Sequence, residues 1–93
     1  MKIKNWSKIK EGTLLLITWH DIVNNNSWVE YEKAKKQPPC ICKDIGWFVN
    51  EDKLNVRITN STNTEGELSI TVIPKGCIRG VQKIKYEREK KKK

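Results

Sequence analysis

Alternation of apolar and polar residues with a period of two is the main pattern along this chain, and it predicts β-strands with one buried face. The alternation is clearest in residues 54–59 (LNVRIT) and recurs in residues 68–72 (LSITV). Residues 13–19 (TLLLITW) are mostly aliphatic or β-branched without alternation, which is typical of a strand covered on both faces. The pattern therefore predicts a mainly β fold in which residues 13–19 form a central first strand.

The stretch from residue 68 to residue 86 indicates how the sheet ends. Pro74 cannot donate a hydrogen bond to a neighbouring strand and Gly76 permits a sharp bend, so Pro-Lys-Gly predicts a turn. Residues 78–86 then resume as a second strand. A strand, a one-turn kink of 3₁₀ type and another strand is how small SH3-like and Sm-like barrels end. By this analogy of pattern, we expect a small five-stranded SH3-like or Sm-like barrel.

The middle of the chain predicts one long strand and one short helix. Residues 40–50 are strand-like, and Gly46 predicts a bulge or sharp bend of the sort that closes small barrels. Residues 51–53 predict the hairpin turn that follows. Residues 28–32 alternate as a strand would, yet the composition of residues 30–37 is equally typical of a helix. We favour one short helix there.

A single domain is expected from 93 residues, with a basic segment at each end. We assign residues 1–12 to a basic N-terminal arm, in which apolar residues at every third position predict one helical turn or an irregular segment. Residues 13–86 form the predicted barrel, and residues 87–93 form a Lys-rich tail that is expected to be disordered. Because a core this small is marginal, we also expect a homo-oligomer in which subunits share burial.

The net charge of +8 suggests a polyanionic partner, but its distribution changes that picture. Residues 83–93 carry +5 and residues 1–10 carry +4, which leaves −1 for the residues between them. Basic ends on a nearly neutral domain are more typical of solvated tails or weak anion-attracting arms than of a nucleic-acid-binding face. Nucleic acid therefore stays an alternative partner. No membrane partner is expected, because the longest apolar run, residues 14–17, is far too short to span a bilayer.

The cysteines and the single histidine are the candidate metal ligands. Cys40, Cys42, Cys77 and His20 could in principle form a zinc site, but the C-x-C spacing lacks the two-residue gap of a structural zinc knuckle. An odd number of cysteines argues against a disulfide framework, so we expect reduced thiols, a cytoplasmic protein and no cofactor. We also expect no enzymatic activity, because His20 and Asp21 point to opposite faces of a strand and no Gly-rich phosphate loop is present.

Four tryptophans in so small a domain are the strongest hint of a ligand. Each could belong to the core, or it could offer a flat face on which a nucleobase stacks. Acidic neighbours could read a base edge and cations could hold phosphate, although Lys75 and Arg79 are also natural solvated turn residues. The candidate ligand-binding residues are Trp19, Asp21, Trp28, Lys43, Trp47, Lys75 and Arg79.

Several short motifs occur in an order that resembles a group of small phage-encoded barrel proteins. They are Thr-Trp-x-Asp at residues 18–21, a following Trp28 and Pro-Pro, Cys-x-Cys-x-x-x-Gly-Trp at residues 40–47, and Ile-Pro-Lys-Gly-x-Ile at residues 73–78. The resemblance covers residues 18–84. Proteins of this kind include immune-evasion sponges that sequester the cyclic nucleotide signals of the host defences CBASS and Thoeris as oligomers.

The resemblance implies a non-enzymatic phage protein that acts in the host cytoplasm and binds a cyclic nucleotide defence signal. Two alternatives remain open from the sequence. One is an Sm-like barrel that binds RNA or DNA through its basic ends. The other is a structural or protein-binding phage component.

Overall fold

The computed structural model describes residues 5–86 and contains a single antiparallel sheet with short helical segments. The predicted disordered tail at residues 87–93 and the first four residues of the predicted arm lie outside the described residues. In chain order the described elements are a 3₁₀ helix Trp6–Lys8, β1 Leu14–Asp21, α1 Tyr31–Ala34, β2 Cys40–Glu51, β3 Asn55–Thr59, β4 Thr71–Pro74, a second 3₁₀ helix Lys75–Cys77, and β5 Ile78–Lys83. The mainly β prediction is confirmed.

The five strands lie in the order β4-β3-β2-β1-β5, and all neighbouring strands are antiparallel. β1 is an interior strand, as predicted, because its Leu15 pairs with Gly46 of β2 on one side and with Lys83 of β5 on the other. The prediction that β1 is covered on both faces is wrong, since only the alternate residues Leu15 and Ile17 are buried. β4 and β5 form the two edges, so the sheet is open. The same two strands are joined by only three residues, which requires the sheet to curl so that its edges approach one another.

The hydrophobic core lies on one face of this curled sheet, which we call the inner face. Alternate residues of the strands supply it, because successive side chains in a strand point to opposite faces. Its buried residues are Ile9, Leu15, Ile17, Phe48, Val56, Ile58, Ile73 and Val81. The opposite, outer face carries the intervening residues, among them Ile45 and Trp47 of β2.

The long strand β2 runs through Gly46 without losing its pairing to β1, so the predicted bend does not interrupt the strand at this residue. The register irregularity lies further on, where Phe48 pairs with Ile58 and Asn50 pairs with Arg57. Instead, glycine is required at position 46 because β3 approaches β2 closely there. A Cβ atom at this position would lie 2.8 Å from the carbonyl oxygen of Thr59 in β3. Glycine thus lets β3 pack tightly against β2.

The predicted strand, kink and strand at the C-terminal end are present, with shorter bounds. β4 begins at Thr71, whereas Leu68 forms an isolated bridge with Thr62 inside the β3–β4 connection. The Pro-Lys-Gly turn is the second 3₁₀ helix, and its Lys75 amide donates a hydrogen bond to Leu54 O at 2.7 Å. That bond ties the turn to the start of β3.

The two remaining segments are short. The helical turn predicted near the N-terminus is the 3₁₀ helix Trp6–Lys8, and it brings Ile9 into the core and stacks Trp6 on Phe48 with 6.3 Å between ring centroids. Part of the predicted arm therefore packs with the domain. The favoured short helix is α1, within residues 30–37. No helix among residues 5–86 is long and apolar enough to cross a membrane.

Candidate functional site

Trp19, the first candidate stacking residue, is half-buried and packs against the core. Its Nε1 donates a hydrogen bond to Asp44 Oδ2 at 2.6 Å. The two residues can meet because Trp19 pairs with Cys42 across β1 and β2, which makes Asp44 its diagonal neighbour on the same face. The indole plane is thereby fixed, while part of the ring stays accessible to solvent.

Two exposed cations, Lys43 and Arg79, lie near Thr18 at this end of the sheet, and Lys43 and Thr18 are on the outer face, opposite to Trp19. Lys43 of β2 pairs with Thr18 of β1, and Thr18 pairs in turn with Gly80 of β5. Thr18 pairs with Gly80 and Trp19 pairs with Ile78, so Arg79 is an additional, unpaired residue at this irregularity of β5. Since neighbouring strands lie about 4.8 Å apart, the backbones at residues 43 and 80 are about 10 Å apart.

The positive charges of Lys43 and Arg79 are available to bind an anion. Neither Lys43 nor Arg79 forms a salt bridge within residues 5–86, although Arg79 Nη1 donates to Gly76 O at 2.8 Å and to Ile78 O at 3.1 Å. Asp21 lies at the end of β1, exposed, with Oδ1 accepting a hydrogen bond from the Ile22 amide at 2.8 Å. We call Lys43 and Arg79, with Thr18 and Gly80 between them, the β1-end cluster; Trp19 and Asp21 lie on the opposite, inner face and do not belong to it.

Lys75 does not join this cluster. Its Nζ forms a salt bridge with Glu51 at the end of β2, and both side chains are about three-quarters buried, at 26% and 27% exposure. The pair links the second 3₁₀ helix to the β2–β3 hairpin. In this position the charge of Lys75 is already neutralised, and the side chain holds the turn against the hairpin.

Trp28 lies apart from every other candidate residue. It is in the 18-residue connection between β1 and β2, residues 22–39, and its side chain is fully exposed at 103%. None of the residues in this connection is buried. The single chain therefore does not bring Trp28 together with the β1-end cluster.

Trp47 lines a small cavity of about 290 Å³ on the outer face of the sheet. The cavity is formed with Thr59, which pairs with Trp47 across β2 and β3, and with Ser61, Thr62 and Leu68 of the β3–β4 connection. Sequence reasoning missed these four residues. The alternation of β3 could have placed Thr59 on the outer face, but no sequence signal indicated how the connection folds back over Trp47.

The thiols do not form a complete metal site. Cys40 and Cys42 lie on the same side of β2 with their sulfur atoms 3.7 Å apart, and Cys77 is also free. Partial burial raises the pKa of the Cys42 thiol, and its contact with Cys40 raises it further. Within residues 5–86 no three His, Cys, Asp or Glu side chains are arranged to hold a metal ion.

Comparison of the chain with protein-family models, with curated proteins and with solved structures finds no match. The function must therefore be argued from the geometry of the β1-end cluster and of the outer face.

Proposed function

We propose that this protein is a non-enzymatic phage immune-evasion protein that binds and sequesters a cyclic nucleotide defence signal in the host cytoplasm, as a homo-oligomer. The observation that supports this most directly is the β1-end cluster, in which the exposed cations Lys43 and Arg79 lie on either side of Thr18 and Gly80. Two cations are the groups that a nucleotide's phosphate requires.

Each cation has a specific part in the proposed binding. The phosphate lies over Thr18 and Gly80, where the glycine has no side chain to obstruct it, between the ammonium of Lys43 and the guanidinium of Arg79. Trp19, whose plane is held by Asp44, and Asp21 lie on the opposite face of the sheet and do not contact this phosphate. Sequestration needs no bond-making step, so binding alone suffices for the activity.

We further propose that the curled sheet is an open relative of the SH3-like or Sm-like barrel. The support is its strand order, in which β1 lies between β2 and β5, together with the single 3₁₀ turn between the two edge strands. In such a fold, the exposed ends of the central strands are natural places for a ligand.

Calorimetric titration with cyclic dinucleotides, cyclic trinucleotides and cyclic ADP-ribose isomers tests the proposed function. We expect wild type to bind one of these ligands at micromolar concentration or below. Since hydrogen bonds to charged groups contribute about 1.5–3 kcal/mol, Lys43→Ala and Arg79→Ala should each weaken binding roughly ten- to a hundredfold. Lys53→Ala, which removes an exposed lysine of the β2–β3 turn, is the matched control and should bind as wild type does.

Circular dichroism establishes that each variant is folded before its affinity is compared. If wild type binds none of these ligands at micromolar concentration but retards single-stranded RNA at moderate salt, the sponge proposal is wrong. The alternative of a nucleic-acid-binding barrel then takes its place, and the affinity for RNA should fall steeply as salt is raised.

A further inference from the structure

The connection between β1 and β2 carries apolar side chains that the rest of the chain leaves uncovered. Trp28, Ile22 and Tyr31 are 103%, 89% and 75% exposed. Within the described part of the chain, residues 22–39 hydrogen-bond only to one another or to Asp21. A fully exposed tryptophan is costly to hydrate and is the residue type most enriched in binding hot spots. This connection therefore has the properties of a docking segment.

The cavity beside Trp47 has the complementary properties. Its hydroxyl groups are already engaged, since Thr59 Oγ1 donates to Ser61 O at 3.0 Å, and Thr62 Oγ1 donates to Glu67 O at 3.1 Å. Ser61 Oγ likewise donates to Ser69 Oγ at 3.2 Å. What the cavity offers an incoming group is the indole of Trp47 and the side chain of Leu68, both partly exposed.

The size of the cavity also limits what it can hold. At about 290 Å³ it lies at the lower end of the range for small-molecule sites, which suits a single ring system rather than a large ligand. The chain's own Trp28 does not occupy it, because that side chain is fully exposed. The same molecule thus carries a fully exposed tryptophan and an apolar cavity of a size that suits one ring system.

Charge on the two surfaces is complementary as well. Three lysines, Lys33, Lys35 and Lys36, and two glutamates follow Trp28 in the connection, which gives it a net charge of +1, although Lys35 is paired with Glu32. The loop beside the cavity, residues 60–70, has two acidic residues, Glu65 and Glu67, and no basic residue. Opposite charges would therefore meet when the connection of one molecule approaches the cavity of another.

We propose that Trp28 of one copy inserts into the Trp47 cavity of a second copy, and that the exchange is reciprocal. This inference supplies the contacts for the self-association put forward above and does not depend on the ligand. Reciprocal exchange produces an isologous, closed dimer with two identical contacts. Two Trp28 and two Tyr31 side chains bury about 600–1,000 Å², and the surfaces that they cover add about as much again, which reaches the range of stable interfaces.

The test is sedimentation velocity of the ligand-free protein from about 1 to 100 μM, with three variants. Trp28→Ala removes the inserted ring, and Leu68→Glu places a charge in the cavity. Each should weaken the dimer at least about thirtyfold, as loss of a hot-spot contact does. Leu54→Ala, an exposed apolar residue of the β2–β3 turn, is the matched control and should dimerise as wild type does.

Mixing the two defective variants separates the proposed contact from any other. Trp28→Ala retains an intact cavity, and Leu68→Glu retains an intact Trp28, so the mixture should form a one-to-one heterodimer through a single contact while each variant alone is monomeric. Wild type that remains monomeric at 100 μM would overturn the proposal, as would a mixture that fails to associate. Because no nucleotide is present, these outcomes are independent of the calorimetric test of ligand binding.

Discussion

The two faces of the sheet are both rich in apolar residues, yet only the inner face is closed to solvent. Ile17 and Val56 on the inner face have no exposed surface, whereas Ile45 and Trp47 on the outer face are 55% and 39% exposed. The inner face accounts for folding, because its burial supplies the hydrophobic free energy. The outer face leaves apolar surface exposed, and a surface of that kind commonly marks a binding site.

The largest effect on stability is expected when the same substitution, isoleucine to alanine, is compared on the two faces. Ile17→Ala removes fully buried methyl and methylene groups and leaves a cavity, so we expect it to lower the free energy of unfolding by about 2–5 kcal/mol. Ile45→Ala changes a side chain that is already more than half exposed, and we expect a loss below about 1 kcal/mol. Urea unfolding at low protein concentration measures both, and equal losses would contradict the assignment of the outer face as open.

The second test compares two glycines in neighbouring parts of the sheet. A Cβ at Gly46 would lie 2.8 Å from Thr59 O and 3.2 Å from Ile58 Cβ, so Gly46→Ala should force β3 away from β2 and destabilise the fold by about 1–3 kcal/mol. At Gly80 the nearest atom, Thr18 Cβ, would lie 3.9 Å away, which is an ordinary contact. Gly80→Ala should therefore keep its thermal unfolding midpoint close to that of wild type. A larger loss at Gly80 than at Gly46 would show that the β2–β3 approach is not the tighter one.

The smallest effect on the free energy of unfolding is expected for Asp52, at the hairpin end of β2 and β3. Asp52 Oδ2 accepts from Arg57 Nη2 at 2.6 Å, and Asp52 Oδ1 accepts from the amides of Leu54 and Asn55 at 3.0 and 2.9 Å. These bonds favour the ionised carboxylate, the side-chain bond to Arg57 most of all, and lower the pKa of Asp52 to about 2.

A pKa that is lower in the folded than in the unfolded protein has a definite consequence for stability. The stabilising contribution of Asp52 is complete above the ordinary carboxyl pKa and is lost as the pH falls through about 2. The difference in unfolding free energy between wild type and Asp52→Asn should therefore shrink as the pH is lowered from about 4 to 2. Titration of the Asp52 carboxyl by NMR checks the cause directly, since Arg57→Ala should raise its pKa. An unchanged pKa in that variant would remove Arg57 as the main cause.

Much of the fold could be predicted from the sequence because its strands carry strong local signals. The alternation in β3 and the Pro-Lys-Gly turn each depend on residues adjacent in the chain. The start of β4 could not be predicted in the same way. Leu68 continues the alternation of that strand, but it lies where the chain must close the β3–β4 connection, so it bridges to Thr62 instead. Such boundaries depend on pairing register, which alternation does not encode.

The candidate site was only partly predictable for a related reason. Alternation along β2 places Lys43 and Trp47 on one face, as the structure confirms through their pairing with residues 18 and 14. The salt bridge between Lys75 and Glu51 joins residues 24 positions apart and forms because the pairing of β2 with β3 and of β3 with β4 places both residues at the same end of the sheet. Lys75, which the sequence suggested as a ligand-binding residue, is thus engaged in a salt bridge within the fold.

The pairing of β1 with β5 has a consequence for the order of events during synthesis. Leu15 pairs with Lys83, 68 residues later, so β1 has an unpaired side until almost the whole described domain has left the ribosome. Closing so long a loop is entropically costly, and sheets that rely on such distant pairing fold slowly. During that interval the nascent chain exposes an apolar strand edge to any neighbouring polypeptide. A chain interrupted between β4 and β5 would keep that edge permanently and should aggregate rather than fold.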